Sequence, residues 1–210
     1  MNLSAGRGDD YVISYNNDNG NAWNPEDYSN YNLGPGDDSI YFAGSTGTAY
    51  VTGASGKDLI ETNTDLGGRL YVWGDYEYDE ENDDDDIWGD DDIININRQR
   101  DTVSQYDPRN LVYVWGGDGE DQILVEGNHN QQWLHGDNGD DHITYGGRST
   151  GVYVFGDDGD DLIDSYKNSD GVDGVWYQNI KGGEGNDVIT STYASHSYIF
   201  GDDGNDNITT

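Results

Sequence analysis

The sequence predicts an all-β fold, a parallel β-solenoid of about ten stacked coils that spans residues 1–210 as a single domain. A glycine-aspartate motif recurs with a period of about twenty residues, and two columns of aliphatic residues keep a constant phase with it. The composition agrees with this fold. The 31 Gly and 17 Tyr residues favour turns and strands, while the helix-forming residues Ala, Leu, Lys and Met are scarce.

The repeated motif reads G-[GD]-x-G-x-D-x-I, and we number its turn from the first Gly, at position one, to the Asp, at position six. It is intact in five segments, which are residues 116–123, 136–143, 156–163, 182–189 and 201–208. Looser copies occupy residues 6–12, 34–40 and 53–60. The anchors at position six are Asp10, Asp38, Asp58, Asp121, Asp141, Asp161, Asp187 and Asp206. A step near twenty residues is typical of one solenoid coil.

The longest interval between anchors runs from Asp58 to Asp121 and covers roughly three periods. We therefore expect two further anchors in it and assign them to Asp85 and Asp101, with Asp79 or Asp91 as alternatives to Asp85. The Asp85 turn carries an acidic insertion, and the Asp101 turn has no glycine.

Two aliphatic columns fix the phase of the coils. The upstream aliphatic ladder, two residues before position one, comprises Leu3, Val51, Val72, Ile94, Val114, Leu134, Val154, Ile180 and Ile199. The downstream aliphatic ladder, two residues after each anchor, comprises Val12, Ile40, Ile60, Ile87, Val103, Ile123, Ile143, Ile163, Ile189 and Ile208. Because side chains alternate along a strand, both ladders are expected to point into the core. Each coil is thus predicted to contain a strand, a turn, a second strand and a variable return loop.

The turn motif also predicts a calcium site. Glycines allow backbone conformations that turn carbonyl oxygens inward, and the Asp adds a carboxylate, so the turn offers the oxygen ligands that Ca²⁺ prefers. Stacked carboxylates about 4.8 Å apart would repel by roughly 1–3 kcal/mol per pair without a cation between them. We therefore expect about one Ca²⁺ in each gap between coils.

The turns resemble the RTX nonapeptide GGxGxDxUx, in which U is a large aliphatic residue, over most of the chain and most closely in its C-terminal half. The resemblance implies a right-handed solenoid with Ca²⁺ in its turns, here with one calcium turn per coil. It implies that the side-chain ligands are the anchors named above, including Asp85. It implies that the carbonyl ligands are those of Gly116, Asp118, Gly136, Asn138, Gly156, Asp158, Gly182, Glu184, Gly201 and Asp203.

Aromatic residues flank the upstream ladder and are expected to point outward. We call this set the aromatic face, and its members are Tyr50, Tyr71, Trp73, Tyr113, Trp115, Trp133, Tyr153, Phe155, Tyr198 and Phe200. Their rings could stack on one another and stabilise the sheet. They could equally pack laterally against another solenoid or hold a polysaccharide.

The charge of the chain limits its partners. Its net charge of −34 argues against nucleic acid and against insertion into an anionic membrane. The chain has no cysteine, and its four histidines form no zinc or nucleophile motif, so we do not expect an enzyme.

These observations predict a structural protein of the extracellular space or cell surface, with an export route that the sequence does not reveal. Since neither end of the sequence shows a capping element, copies are expected to join head to tail into filaments, with lateral packing as a further contact. The alternatives are a segment of a larger RTX adhesin, the calcium-folded tail of a secreted enzyme, and a polysaccharide-binding module.

Overall fold

The computed structural model describes residues 1–16, 28–44, 47–64, 69–75, 90–97, 110–166, 174–192 and 194–210. Within these residues the protein is built from β-strands and turns and contains no helix. No described segment could therefore cross a membrane as a long apolar helix.

Two parallel sheets form the molecule, each with nine strands among the described residues. The first sheet contains β1 (Asn2–Ser4), β3 (Tyr28–Asn32), β5 (Thr48–Thr52), β7 (Arg69–Trp73), β9 (Leu111–Asp118), β11 (His129–Asn138), β13 (Ser149–Asp158), β15 (Val175–Glu184) and β17 (Ala194–Asp203). The second contains β2 (Tyr11–Asn16), β4 (Ser39–Gly44), β6 (Leu59–Thr64), β8 (Ile93–Asn97), β10 (Gln122–Glu126), β12 (His142–Gly146), β14 (Leu162–Tyr166), β16 (Val188–Thr190) and β18 (Asn207–Thr209). The chain alternates between the sheets, and each strand pairs in parallel with the strands of the neighbouring coils, on both sides except at the two ends of each sheet. This confirms the parallel β-solenoid.

The core lies between the two sheets and is lined by the two aliphatic ladders. In the first sheet the strand register aligns Leu3, Val51, Val114 and Ile199 in one column, as predicted. Tyr31 lies in the same column between Leu3 and Val51, in a coil for which the sequence predicted no member of the upstream ladder. Tyr31 is fully buried there. In the second sheet the register confirms the downstream ladder from Val12 through Ile123 to Ile208.

The interval between Asp58 and Asp121 differs from the prediction. The strand β8 pairs directly with β6 on one side and β10 on the other, so the described strands form one coil there and not two. Ile94 pairs with Ile60 and Ile123, so its assignment to the upstream ladder was wrong and it belongs to the downstream one. Asp85, Asp101, Ile87 and Val103 lie outside the described residues. Among the described residues each sheet therefore has nine strands, one for each coil, where about ten coils were predicted.

Stacked glycines let successive turns approach closely. The position-four glycines have positive φ, for example +127° at Gly139 and +143° at Gly159. A Cβ added to Gly139 would lie 1.7 Å from the carbonyl oxygen of Gly119 in the preceding coil. Glycine is thus required at position four for two reasons. The backbone conformation there is strained for other residues, and the preceding coil leaves no room for a side chain.

We expect Gly139→Ala to destabilise the protein more than Gly8→Ala. Both positions have positive φ, which costs a non-glycine residue about 1–2 kcal/mol. At Gly139 the new methyl group would collide with the preceding coil, and overpacking of this kind has a further cost of about 1–3 kcal/mol. A Cβ on Gly8 meets nothing within 4 Å. Urea denaturation of the two variants measures the difference, and equal losses would contradict the stacked-glycine packing.

Candidate functional site

A continuous series of side-chain-to-backbone hydrogen bonds runs along the turns. The position-six residues, which we call the Asp ladder, are Asp10, Asp38, Asp58, Asp92, Asp121, Asp141, Asp161, Asp187 and Asp206. From Asp10 to Asp187, the backbone N–H of each donates to Oδ1 of the Asp in the following coil, with N···O distances from 2.6 Å at Asp10 to 3.1 Å at Asp187. Each carboxylate therefore holds the backbone of the coil before it.

Asp92 is the anchor that sequence reasoning missed. Its N–H donates to Asp121, and its Oδ1 accepts from Asp58, so it fills the single step between them. Asp91, one of the alternatives considered, lies next to it and is exposed. The signal was present in the sequence, because Asp92-Ile93-Ile94 fits the D-x-I end of the motif.

A second series of hydrogen bonds runs in the opposite direction at position five. Here a side chain accepts from the backbone of the coil that follows, as when Asp140 Oδ1 accepts from Asp160 N–H at 2.8 Å. Asp160 Oδ1 accepts in turn from Asn186 N–H at 2.7 Å. Position five is exposed, and position six is buried from Asp38 to Asp187. Where both series are present, side chains in different environments thus hold neighbouring turns together in both directions.

The second oxygen of most ladder carboxylates has no hydrogen-bond partner. Among the described residues, Oδ2 is buried and unpaired in Asp38, Asp58, Asp92, Asp121, Asp141, Asp161 and Asp187. Except in Asp38, whose turn has Leu33 at position one, this oxygen faces the position-one glycine of its own turn. At Gly136, for example, the place of a Cβ lies 2.1 Å from Asp141 Oδ2 and 2.6 Å from the carbonyl oxygen of Gly156 in the next coil. A carboxylate oxygen without a donor and a backbone carbonyl oxygen of the next coil therefore lie close together inside the turn.

Burial raises the pKa of these carboxyls, and the charges of neighbouring aspartates raise it further. The pKa is about 7 for Asp58, Asp121 and Asp161 and about 8 for Asp141. It reaches about 9 for Asp92, where burial is the largest cause and Asp75, Asp121 and Asp58 add to it. The hydrogen bond that each Oδ1 accepts lowers the pKa but does not offset burial. Ionisation of the ladder carboxyls is thus costly, because no basic group among the described residues lowers their pKa.

Asp75 adds a carboxylate that the turns of the two neighbouring coils lack, since these have Ala54 and Gly117 at the same position. It occupies position two, where glycine is common, and its Oδ1 is buried without a hydrogen-bond partner. Its pKa is raised to about 8, first by burial and then by the charge of Asp121. The coil that carries Asp92 therefore holds one more inward carboxylate than its neighbours.

The backbone carbonyls predicted as ligands already accept hydrogen bonds between coils. Those of Asn138, Asp158, Glu184 and Asp203 accept from the position-four glycine of the preceding coil, at 2.7–2.9 Å. A carbonyl oxygen has two lone pairs, so this bond leaves one free for another partner.

The aromatic face consists of two columns of stacked rings. Tyr50, Tyr71, Tyr113, Trp133 and Tyr153 form one, with neighbouring centroids 4.7–5.0 Å apart and planes within 8° of parallel. Trp73, Trp115, His135 and Phe155 form the other, with centroids 4.4–6.1 Å apart. Asn179 and Lys181 interrupt the columns before Tyr198 and Phe200. Within the columns the rings cover one another's faces and leave mainly their edges exposed.

Comparisons with protein-family models, with curated proteins and with solved structures found no match to this chain.

With divalent cations removed by a chelator, we expect stability to fall as the pH rises. The ladder carboxyls have a higher pKa in the folded than in the unfolded protein, so their stabilising contribution is complete below about pH 4 and is lost through about pH 7 to 9. Even one pKa unit for each of five carboxyls would amount to about 7 kcal/mol, which is comparable to the stability of a typical domain. Urea denaturation across this pH range measures the effect, and a flat profile would contradict it.

Replacing the central tyrosine of the longer column should also destabilise the protein. We expect Tyr113→Leu to cost about 1–3 kcal/mol, because two parallel stacking contacts are lost. Tyr11→Leu is the matched control, since Tyr11 is 71% exposed on the second sheet, and it should change stability by less than about 0.5 kcal/mol. Thermal denaturation compares the two, and equal effects would show that the stacked rings contribute nothing.

Proposed function

We propose that the chain is a structural protein whose coils are held together by Ca²⁺ bound along the Asp ladder. The observation that carries the proposal is the row of buried, unpaired Oδ2 atoms. A buried carboxylate without a partner is costly, and it is stabilised either by protonation or by a cation. The ladder has eight successive steps, and near neutral pH cations bound along these steps would stabilise all of the buried carboxylates.

The donor atoms in the turns fit Ca²⁺ better than other common cations. Carboxylate and carbonyl oxygens are hard ligands, and Ca²⁺ accepts six to eight of them at flexible angles. Mg²⁺ demands near-octahedral geometry and retains its waters, while Zn²⁺ prefers nitrogen and sulfur ligands, which position six lacks. Bound Ca²⁺ would supply the positive charge that turns repulsion between neighbouring carboxylates into attraction.

The proposal includes a right-handed solenoid of the RTX type, with departures at named positions. Ala5 and Leu33 stand at position one in the first two coils, where the motif has glycine, and Leu33 is fully buried in the core. Asp90 stands at position four of the turn that carries Asp92, where the motif has glycine. We expect the more regular coils, with anchors from Asp121 to Asp187, to bind Ca²⁺ most uniformly.

An extracellular setting and self-assembly complete the proposal. Sites of this kind in extracellular modules bind Ca²⁺ with dissociation constants of about 0.1–1 mM, a range that extracellular calcium fills and cytosolic calcium does not. Every coil presents the same pattern of backbone donors and acceptors to the coil beside it. A second copy could therefore extend the stack in the same register, which is the geometry of a head-to-tail filament.

Polysaccharide binding by the aromatic face has less support. Sugars stack on open ring faces, and in the two columns neighbouring rings cover these faces at 4.7–5.1 Å for most pairs. We therefore assign the columns a structural role, in which they stabilise the outer surface of the first sheet.

Asp161→Asn tests the proposal by separating charge from hydrogen bonding. The amide oxygen can still accept from Asp141 N–H, while the buried negative charge is removed. We expect the variant to be more stable than the wild type in a chelator and to gain much less stability from millimolar Ca²⁺. Circular dichroism during thermal denaturation, with and without Ca²⁺, measures both effects.

Asp158→Asn is the matched control, because Asp158 is in the same turn but its side chain is exposed. It should respond to Ca²⁺ like the wild type. A wild-type protein whose melting temperature is the same in chelator and in millimolar Ca²⁺ would overturn the proposal.

A further inference from the structure

Among the residues that the structure describes, one group of metal-ligating side chains lies outside the Asp ladder. His135, Asp137 and Asp157 each offer one ligand atom, and these three atoms all lie within 4.8 Å of one another. His135 Nδ1 is 3.0 Å from Asp157 Oδ2. All three residues are partly buried, so the group is neither a dispersed surface cluster nor sealed from solvent.

The solenoid register brings these residues together. Asp137 and Asp157 are direct partners in neighbouring strands, both at position two. Both have positive φ, +74° and +76°, so their backbones share one conformation. His135 belongs to the shorter aromatic column, and its ring is stacked on Phe155 with centroids 4.4 Å apart. The packing of the aromatic face therefore fixes the plane of the imidazole beside the two carboxylates.

The charges of the group are unbalanced. The carboxylate of Asp137 accepts no hydrogen bond from the described part of the chain. Burial raises the pKa of Asp137, the charges of Asp157 and Asp118 raise it further, and only His135 lowers it. One imidazole thus faces two close carboxylates, and a bound dication would compensate the excess negative charge.

The same combination does not recur at neighbouring positions of the described coils. The residues aligned with His135 are Trp115, Phe155 and Lys181, and those aligned with Asp137 and Asp157 include Gly117 and Gly183. The group is therefore not a product of the repeat.

We propose that His135, Asp137 and Asp157 form a binding site for a transition-metal dication of the Zn²⁺ class, separate from the Asp ladder. A mixed set of one imidazole nitrogen and two carboxylate oxygens suits Zn²⁺, whereas Ca²⁺ favours oxygen ligands alone. Ligand atoms at 2.0–2.2 Å in a tetrahedral site are about 3.3–3.6 Å apart, so ligand atoms that now lie within 4.8 Å of one another need to approach by about 1.5 Å at most. Three protein ligands leave a fourth position for water.

Isothermal titration with Zn²⁺, in buffer that keeps the protein saturated with Ca²⁺, tests the site. We expect one equivalent of Zn²⁺ to bind to the wild type and this equivalent to be lost in His135→Phe, which keeps an aromatic ring in the column. Asp137→Asn should weaken binding at least tenfold. Nitrogen NMR of the imidazoles gives a second readout, in which His135 alone of the four histidines should shift with the first equivalent.

His142→Phe is the matched control, because His142 has a single carboxylate nearby, that of Asp164 at 3.8 Å. It should bind Zn²⁺ like the wild type. Undiminished binding by the His135 variant, loss of the same equivalent in the His142 variant, or a shift of another histidine first would overturn the proposal. Because Ca²⁺ is present throughout, failure of this site leaves the calcium proposal to its own test.

Discussion

The hydrogen bond from one ladder aspartate's backbone to the carboxylate of the next is the interaction on which the rest of the structure depends. It fixes the register of consecutive turns, and through them the register of both sheets. It also forces the carboxylates into a single buried row, where the unused oxygens lack donors. The hydrogen bond that aligns the coils thus also places unpaired carboxylate oxygens close together. The glycines at position one have no side chain and leave room beside these oxygens.

The regular part of this arrangement could be predicted from the sequence, since its geometry is local and periodic. Around Asp121, Asp141 and Asp161, glycine spacing and aliphatic phase agree, and only one alignment satisfies both. Near Asp92 they disagree, because Asp90 replaces the position-four glycine and a run of acidic residues offers several equivalent anchors. Tyr31 was missed for another reason: an aromatic residue fills a place that elsewhere holds an aliphatic one.

Other features depend on three-dimensional contacts that alternation does not specify. A period of two places Asp141 inside the turn but does not say which oxygen accepts a hydrogen bond and which is left without one. The approach of His135 to Asp157 depends on stacking between coils and on the conformation at position two. Sequence motifs for zinc sites would not reveal this group, because His135 and Asp137 come from one coil and Asp157 from the next.

The parallel stacking of the coils also determines how the molecule would respond to force. Tension along the solenoid axis would load the hydrogen bonds of a single gap between coils, since each coil contacts only its neighbours. Coils would then detach one after another. A coil with a twenty-residue step, such as that from Asp121 to Asp141, would release roughly 65–70 Å of extended chain. Such a molecule would lengthen in discrete increments and dissipate work at each one.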